Sequence, residues 1–460
     1  MKLKHYLSSL FLLLTTLSIL PLTAAVTDAQ VESSLDVLKK DADAGDAYSA
    51  RQLYMRYAAS NELEQAKEWS SKYEEILKQK AKNGDSKAML RLAASYLQGS
   101  DMFPLDLEQA QLWFASASAA GEPSAAYILA EIFKENEQAE LAQEHYTRAY
   151  ELYSEQVAKD PNNSDAIYWL GMMQLQAQGC ELAMDAGIAQ LELAASLNNR
   201  WAYVQLFKLF ADGQLLPRDE QRAINYAETL ATQFNDGLMA YATACAYLNG
   251  QGREQDEAKG NAFLEQACKG NIADAIMLKA SRLEQSGKLA EAVPFYQQAA
   301  SMAQEQAMTR LGTLLLKGEG LEKDAQQGVA LLTTAAERFN SQLAPLELAY
   351  YYEREGEQSL ADYWYVTASD RGVAQAMARR GLLHLNTNSD MDWNPTLAYR
   401  WWKAGSDAGD ETCSRYINTF LYGFIPAVLI LCFLGPVLLV RLLNKRAQAR
   451  DAQQGDAPAH

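Results

Sequence analysis

The sequence is poor in the residue types that most often carry enzyme chemistry. Among its 460 residues are 4 histidines and 5 cysteines. No two histidines have the spacing of a metal-binding pair. We therefore predict no catalytic residue, no metal site and no cofactor site, and we expect a non-enzymatic protein. An alternative in which a hydrolase is hidden within the chain requires convergent titratable groups that the sequence does not offer.

Cysteine is also too scarce and too irregularly spaced for a disulfide framework. The five positions are Cys180, Cys245, Cys268, Cys413 and Cys432. Buried free thiols are the expected state. Cys245 and Cys268 fall in consecutive predicted helices, so a disulfide between them stays open as an alternative.

Positive charge is in deficit. The chain has 41 basic and 58 acidic residues, a formal net charge of -17. Such a surface repels nucleic acid and anionic lipid headgroups, so we predict no nucleic-acid partner. A solvated acidic surface is the simplest reading, and a partner with a basic patch is the alternative.

Phosphate and calcium sites are excluded by their missing partners. Gly250 and Gly252 are not followed by the Gly-Lys-Ser/Thr of a P-loop, and they lack the strand context of a dinucleotide fold. A single Asp follows each Gly-rich loop, which is too few oxygen ligands for a cation. We predict that these glycines lie in turns between helices.

The sequence does contain a pattern that is repeated eleven times. Each copy has a turn residue, a small residue four positions after it, usually Leu eight positions after it and often an aromatic residue twelve positions after it. The turn positions are Gly45, Gly84, Gly121, Asn162, Asn198, Asn235, Gly270, Ala303, Asn340, Gly372 and Gly409. A period near 36 residues indicates a helical solenoid, and these offsets lie on one side of a helix. His384 occupies a twelfth position, so a packed ring is expected there, whereas His145 is expected on a partly exposed helix.

A second helix precedes each turn, with Ala, aromatics and then small residues. Gly is expected to end the first helix and Asp to cap the second, as in Gly99 with Asp106, Gly213 with Asp219, Gly250 with Asp256 and Gly318 with Asp324. Tryptophans of the second helices are expected to pack between repeats. In a pair such as Trp401-Trp402, only the second ring is expected to reach the surface.

This pattern resembles the SEL-1-like repeat, a relative of the tetratricopeptide repeat, over roughly residues 35–416. The clearest segments are NGDSKAMLRLAASYLQG (83–99), AYLNGQGREQDEAKGNAFLEQACKGN (246–271) and LGTLLLKGEGLEKDAQQGVALLTTAAE (311–337). The residues at 160–171 look more like an ordinary tetratricopeptide unit. The resemblance implies an all-α, right-handed α-solenoid of about ten helix pairs that binds proteins.

Several units depart from this repeat pattern. The small residue is replaced at Ser49, Met239, Asp274 and Cys413, and Leu is replaced at Thr243, Arg380 and Ile417. The Asp274 and Arg380 units are therefore expected to be the most irregular, and together with His384 they mark the first places to look for a bend or a partner contact.

Both ends of the sequence predict an extracytoplasmic protein. Residues 1–25 have Lys2 and Lys4, an apolar run and a small-residue end, the pattern of a signal peptide. Phe420–Val440 contains no charge over 21 residues, and basic residues follow from Arg441. We predict a repeat domain at 26–416, a transmembrane helix at 417–443 and a cytoplasmic tail at 444–460.

The predicted function is a membrane-anchored scaffold whose repeats lie in the bacterial periplasm, with the C-terminus in the cytoplasm. The resemblance implies a protein partner in an envelope or exopolysaccharide assembly, without identifying it. The alternative is the family's lumenal subunit of a eukaryotic ubiquitin ligase, which recognises misfolded proteins in the endoplasmic reticulum. No partner-binding residue is singled out by the sequence.

Overall fold

The protein is built from α-helices joined by short turns. The computed structural model describes residues 28–99, 103–385 and 394–424, and within these ranges it has 22 α-helices, a π-helical turn at Phe420–Phe424 and no strand. The chain divides into two compact units, one ending at Phe234 and the other beginning at Asn235. The predicted all-α repeat solenoid is confirmed.

Unit 1 contains eleven described helices, of which α2 to α11 form five antiparallel pairs. They are α1 Asp28–Asp43, α2 Ala47–Ala59, α3 Leu63–Lys82, α4 Ser86–Gln98, α5 Leu107–Ala119, α6 Pro123–Glu135, α7 Ala139–Lys159, α8 Ser164–Gln176, α9 Met184–Ser196, α10 Arg200–Asp212 and α11 Glu220–Phe234. The even-numbered helix of each pair is the first helix of the repeat, and the odd-numbered helix is the second.

Unit 2 also has eleven described helices, with five pairs running from α12 to α21. They are α12 Gly237–Asn249, α13 Glu257–Lys269, α14 Ala273–Gln285, α15 Leu289–Ser301, α16 Glu305–Lys317, α17 Ala325–Phe339, α18 Ala344–Glu355, α19 Gln358–Asp370, α20 Ala374–Leu383, α21 Pro395–Asp407 and α22 Glu411–Thr419. The two units therefore contain ten helix pairs among their described residues, the number that the repeat predicts.

The turn between repeats depends on one residue in the left-handed conformation. Nine of the eleven predicted turn residues have positive φ, from Gly45 at 92° to Asn235 at 51°. Glycine and asparagine tolerate this region better than other residues, which is why they recur there. Asn162 is an exception.

The register of one unit is predicted wrongly. The residue with positive φ is Asn271, at 54°, while Gly270 has φ -75°. Counting from Asn271 puts Ala275 at the small position, where it is fully buried. Asp274 is therefore an exposed residue of the first turn of α14 and replaces nothing in the core.

The predicted caps are present. Asp106, Asp219, Asp256 and Asp324 each accept a hydrogen bond at the start of a second helix from the backbone N–H three residues later. Gly99, Gly213, Gly250 and Gly318 follow the first helices with positive φ. These bonds satisfy amide groups that a helix start leaves without partners.

The repeated apolar positions form the cores of the two units. Most residues four and eight positions after the turns, such as Ala88 with Leu92 and Ala344 with Leu348, have almost no solvent exposure. Small residues let the paired helices approach, and the leucines fill the space between them.

The prediction for the tryptophan pair is wrong: Trp402 is buried, whereas Trp401 is partly exposed.

The predicted ends of the chain fall mostly outside the described residues. These are the signal peptide at 1–25, residues 425–443 of the membrane span and the tail at 444–460. Within the described residues, no helix has both the length and the apolar character needed to cross a membrane.

Candidate functional site

The two central histidines are packed side chains. The ring of His145 stacks on Phe133 with centroids 5.1 Å apart, and His384 is buried, as expected. Burial lowers the pKa of both imidazoles, because an apolar surrounding disfavours the charged form. In the part of the chain that the structure describes, no group of three or more His, Cys, Asp or Glu residues could hold a metal ion.

The cysteines of the described residues are free thiols, including Cys245 and Cys268. Burial raises the pKa of Cys268 to about 11 and that of Cys413 to about 12. Thiols that stay protonated at neutral pH are weak nucleophiles, so this environment suits packing rather than covalent chemistry.

Charged first-helix residues of unit 2 are neutralised by the neighbouring helices. Arg310 of α16 donates from Nε to both carboxylate oxygens of Glu284 at 3.1 Å, and Tyr296 donates to the same carboxylate at 2.6 Å. The Arg310 guanidinium holds the pKa of Glu284 below its usual value. This pair links consecutive repeats, and its charges are satisfied within the fold.

A groove in unit 1 offers a different surface, with an apolar floor and polar side chains around it. It lies between the C-terminal halves of α8 and α10 and has a volume of about 180 Å³. We call it the α8–α10 groove. Its lining residues are Met172, Leu175, Gln176, Leu191, Gln205, Lys208, Leu209, Asp212, Gln214 and Leu215.

Local backbone geometry forms this groove. Gly213 ends α10 in the left-handed conformation, with φ 66°, and the chain then turns so that Leu215 borders the groove. Leu215 is 61% exposed, so its side chain is accessible to a ligand beside the groove. The closely crossing helices α8 and α9 set the positions of Leu175 and Leu191 on the opposite side.

The chemistry of the groove suits a side chain of a protein better than a small molecule. Its volume is below the roughly 300 Å³ at which small-molecule pockets begin. Gln205, Gln176 and Gln214 provide amide donors and acceptors for a peptide backbone, and Lys208 and Asp212 provide one charge of each sign at the rim.

Sequence reasoning missed this groove because its residues lie outside the repeated core positions. Met172, Gln205 and Lys208 occupy the faces of the first helices that vary from repeat to repeat. One signal was available: Leu215-Leu216-Pro217 places two leucines in a turn after a helix-ending glycine. Pairs of apolar residues in a loop indicate either a local packing contact or a binding surface.

Comparison with known families identifies the repeat. The model described as Sel1 repeat matches six segments, at residues 86–122, 161–199, 202–233, 237–272, 305–338 and 374–410. A comparison with curated proteins found no match.

One solved structure supports the same fold. The protective antigen c5321 of uropathogenic Escherichia coli, described as displaying an SLR fold, is 22% identical, with a TM-score of 0.57 and coverage of 84% of this chain and 82% of that one. A Sel1 repeat protein from Oxalobacter formigenes is 17% identical, with a TM-score of 0.34 and coverage of 88% and 99%. At such identities the first similarity concerns the fold alone.

Proposed function

Since this chain contains six Sel1 repeats, we propose that it is a non-enzymatic scaffold and that the α8–α10 groove of unit 1 is a contact point for its protein partner. Helical-repeat solenoids of this type are typical of protein-interaction scaffolds. The observation that carries the proposal is an apolar groove sized for one large side chain, surrounded by amide groups and bordered by an exposed leucine.

The energetic argument follows from what an interface needs. Binding energy concentrates where one apolar anchor enters a well-formed pocket and is shielded from water. Met172, Leu175 and Leu209 provide the apolar contact, and the surrounding glutamines keep a bound backbone hydrogen-bonded. An enzyme site, in contrast, needs a base or nucleophile at hydrogen-bonding distance from a reacting group. The groove lining contains no His, Cys, Ser, Thr or Tyr, and its two titratable side chains, Lys208 and Asp212, are at the rim.

The experiment is site-specific photocrosslinking in the native host. A photoreactive amino acid replaces Gln205 in the groove, and in the control it replaces the exposed Gln143 of α7, which lies outside the groove lining. We expect a recurrent protein adduct from position 205 and none of the same mass from position 143. Adducts to lipid alone, or an identical pattern at both positions, would contradict the proposal.

We further propose that the scaffold is anchored in a cell inner membrane by residues 417–443, with the repeats in the periplasm and residues 444–460 in the cytoplasm. The support is the sequence: a signal-peptide pattern at 1–25 and an uncharged run followed by Arg441, Lys445 and Arg446. On this basis the partner is an envelope protein, with an exopolysaccharide secretion assembly as one such setting.

Topology has a separate test. A reporter that is active only outside the cytoplasm, fused after His460, is expected to be inactive. The same reporter inserted at the exposed Gly84–Asp85 turn is expected to be active. The reverse result would overturn the proposed orientation without bearing on the groove.

A further inference from the structure

The loops that connect first and second helices in unit 1 share a feature that the repeat does not require. Each of the five connections, or the first turn after it, exposes leucine to solvent: Leu63, Leu105 with Leu107, Leu141, Leu182 and Leu215. Their exposures range from 39% for Leu141 to 67% for Leu63. Exposed leucines are ordinary when isolated, but their recurrence at five successive connections is not explained by core packing.

These leucines lie on one edge of unit 1. In a stack of antiparallel helix pairs, all connections from first to second helix are at the same end of the pairs. We call the six leucines and the acidic residues beside them the loop-edge strip of unit 1. The spacing by one repeat extends it over the full set of five pairs, which suits an elongated ligand rather than a small molecule.

Acidic residues flank the leucines throughout the strip. Residues 60–64, 103–108, 136–141, 178–185 and 213–220 contain ten acidic residues and one basic residue. Each connection contributes two of the acids, as Glu62 and Glu64 do on either side of Leu63. The single cation, Arg218, is paired with Glu220 at 2.9 Å. The strip therefore combines apolar contact area with a consistent negative charge.

Part of this charge has a role in the fold. Asp106 and Asp219 cap second helices, and acids in a first turn interact favourably with the helix dipole. That role explains the carboxylates but not the leucines, since an exposed apolar side chain stabilises neither the cap nor the dipole. The coincidence of the two residue types at every connection is what points to a ligand.

Unit 2 provides an internal comparison. Its corresponding connections carry Arg253, Lys288 and Lys323, and two of their leucines, Leu289 and Leu321, pack against the core. Leu289 lies so close to Gly320 that a Cβ on the glycine would be 2.8 Å from it. The fold can thus pack a leucine against the core at this edge and place a cation beside it. The unit 2 connection before α19 does expose a leucine, Leu360 at 43%, whereas all five connections of unit 1 do so.

The strip continues into the α8–α10 groove. Leu215 belongs to both, since it borders the groove beside Leu175 and Leu209. A ligand lying along the strip is therefore positioned to place one apolar side chain into a preformed cavity. Charge complementarity sets the sign of that ligand, because carboxylates repel anionic groups and attract lysine and arginine.

We propose that the loop-edge strip of unit 1, with the α8–α10 groove at its end, binds a basic amphipathic segment of a partner protein. Apolar side chains of that segment lie over the leucines, one of them enters the groove, and its lysines and arginines pair with the flanking carboxylates. This inference rests on the proposed scaffold function and specifies the chemistry of the partner. An anionic membrane surface does not fit, since ten carboxylates repel it, and neither does a second copy paired strip to strip.

The test uses the full chain in phosphatidylcholine nanodiscs and three fluorescein-labelled helical peptides of about 18 residues, or five turns. The first has leucine on one face and lysine on the other. The second replaces lysine by glutamate, and the third replaces leucine by serine. Fluorescence anisotropy should show binding of the leucine–lysine peptide, about tenfold weaker binding of the lysine–serine peptide, and no binding of the leucine–glutamate peptide.

Substitutions then locate the site. Leu63→Ser with Leu182→Ser should weaken binding of the leucine–lysine peptide about tenfold, which corresponds to the loss of two apolar contacts. Leu360→Ser, at an exposed leucine in the first turn of α19 in unit 2, should leave affinity unchanged. Because all three leucines face solvent, circular dichroism should show that every variant is folded.

Several outcomes would overturn the proposal. These are equal affinity for the leucine–lysine and lysine–serine peptides, binding of the leucine–glutamate peptide, or an equal effect of the two sets of substitutions. Self-association that disappears in the double variant, or binding to vesicles of anionic lipid through the same leucines, would identify a different occupant and would also refute it. If the leucine–lysine peptide does not bind while position 205 still crosslinks to a protein, the proposed scaffold function is retained. Only the proposal that the loop-edge strip binds a basic amphipathic segment is then rejected.

Discussion

Gly171 of α8 and Gly187 of α9 face each other so closely that a Cβ on either residue would lie 2.9 Å from the carbonyl oxygen of the other. The same added atoms would press on Leu191 and Leu175, the two leucines on this side of the α8–α10 groove. One helix crossing thus controls both the packing of a repeat and the wall of the candidate site. Gly312 and Gly328 form an equivalent crossing in unit 2.

Gly187→Ala should therefore destabilise unit 1. Alanine favours a helix by up to about 1 kcal/mol, but the backbone carbonyl of Gly171 cannot move unless the helices separate. We expect a net loss of about 1–2 kcal/mol in the free energy of unfolding, seen as a thermal midpoint several degrees lower. Ala186→Ser, at the exposed neighbouring position, is the control. An unchanged midpoint for Gly187→Ala would show that the crossing tolerates a methyl group.

Arg380 stands at the position where other repeats have leucine. The side chains around it explain how the fold accommodates a charged residue there. Its Nε donates to Asp362 at 2.8 Å, and its guanidinium lies 4.1 Å from the centroid of the Trp401 ring. Both charged side chains are largely buried, so removing one leaves the other without a partner. Arg380→Leu and Asp362→Leu should each cost about 2 kcal/mol, a value reduced for partial solvent screening.

A double-mutant cycle separates the ion pair from packing. Arg380→Leu combined with Asp362→Leu should be less destabilising than the sum of the single changes by at least about 1 kcal/mol. Thermal unfolding monitored by circular dichroism measures the effect. Strict additivity of the two changes would mean that the pair contributes nothing beyond the individual side chains.

His384 should make stability fall at acidic pH. Burial lowers the pKa of its imidazole, Arg380 lowers it further, and Asp362 opposes the shift. The unfolded chain then binds more protons than the folded chain once the pH falls below the ordinary value of about 6.5, so stability decreases from there downward. Its Nε2 has no hydrogen-bond partner to compensate a charge.

His384→Leu should therefore reduce the loss of thermal stability between about pH 7.5 and pH 5.5. His145→Leu tests the second imidazole with a lowered pKa, which is less buried and should contribute less. If His384→Leu leaves the pH profile unaltered, the imidazole is not buried in the folded protein.

The thiols of Cys245 and Cys268 should be free but slow to react. Burial raises the pKa of both, for Cys268 to about 11, so little thiolate is present at pH 8. Iodoacetamide without reductant should label them slowly in the folded protein and completely after unfolding in urea, as measured by peptide mass spectrometry. A peptide pair 2 Da lighter and resistant to alkylation until reduction would instead reveal a disulfide (about two hydrogens lost).

The sequence predicted the number of helix pairs, the Gly and Asp residues at their ends and the buried Ala and Leu positions, because each of these follows from local periodicity. It misplaced the turn at Gly270, since Gly270 and Asn271 are both able to adopt positive φ and only the helix that follows selects between them. It also misassigned Trp401 and Trp402, because a helix alone does not show which of two adjacent rings faces its neighbour.

The sequence by itself determined a helical-repeat solenoid of about ten helix pairs, since turn chemistry and a fixed apolar period act within some 36 residues. Only the tertiary structure decided which leucines stay exposed. Leu289 begins the second helix of its pair and Leu215 precedes one, yet Leu289 packs on a neighbouring repeat and Leu215 borders an open groove. That difference arises from contacts between repeats, which a pattern within one repeat does not contain.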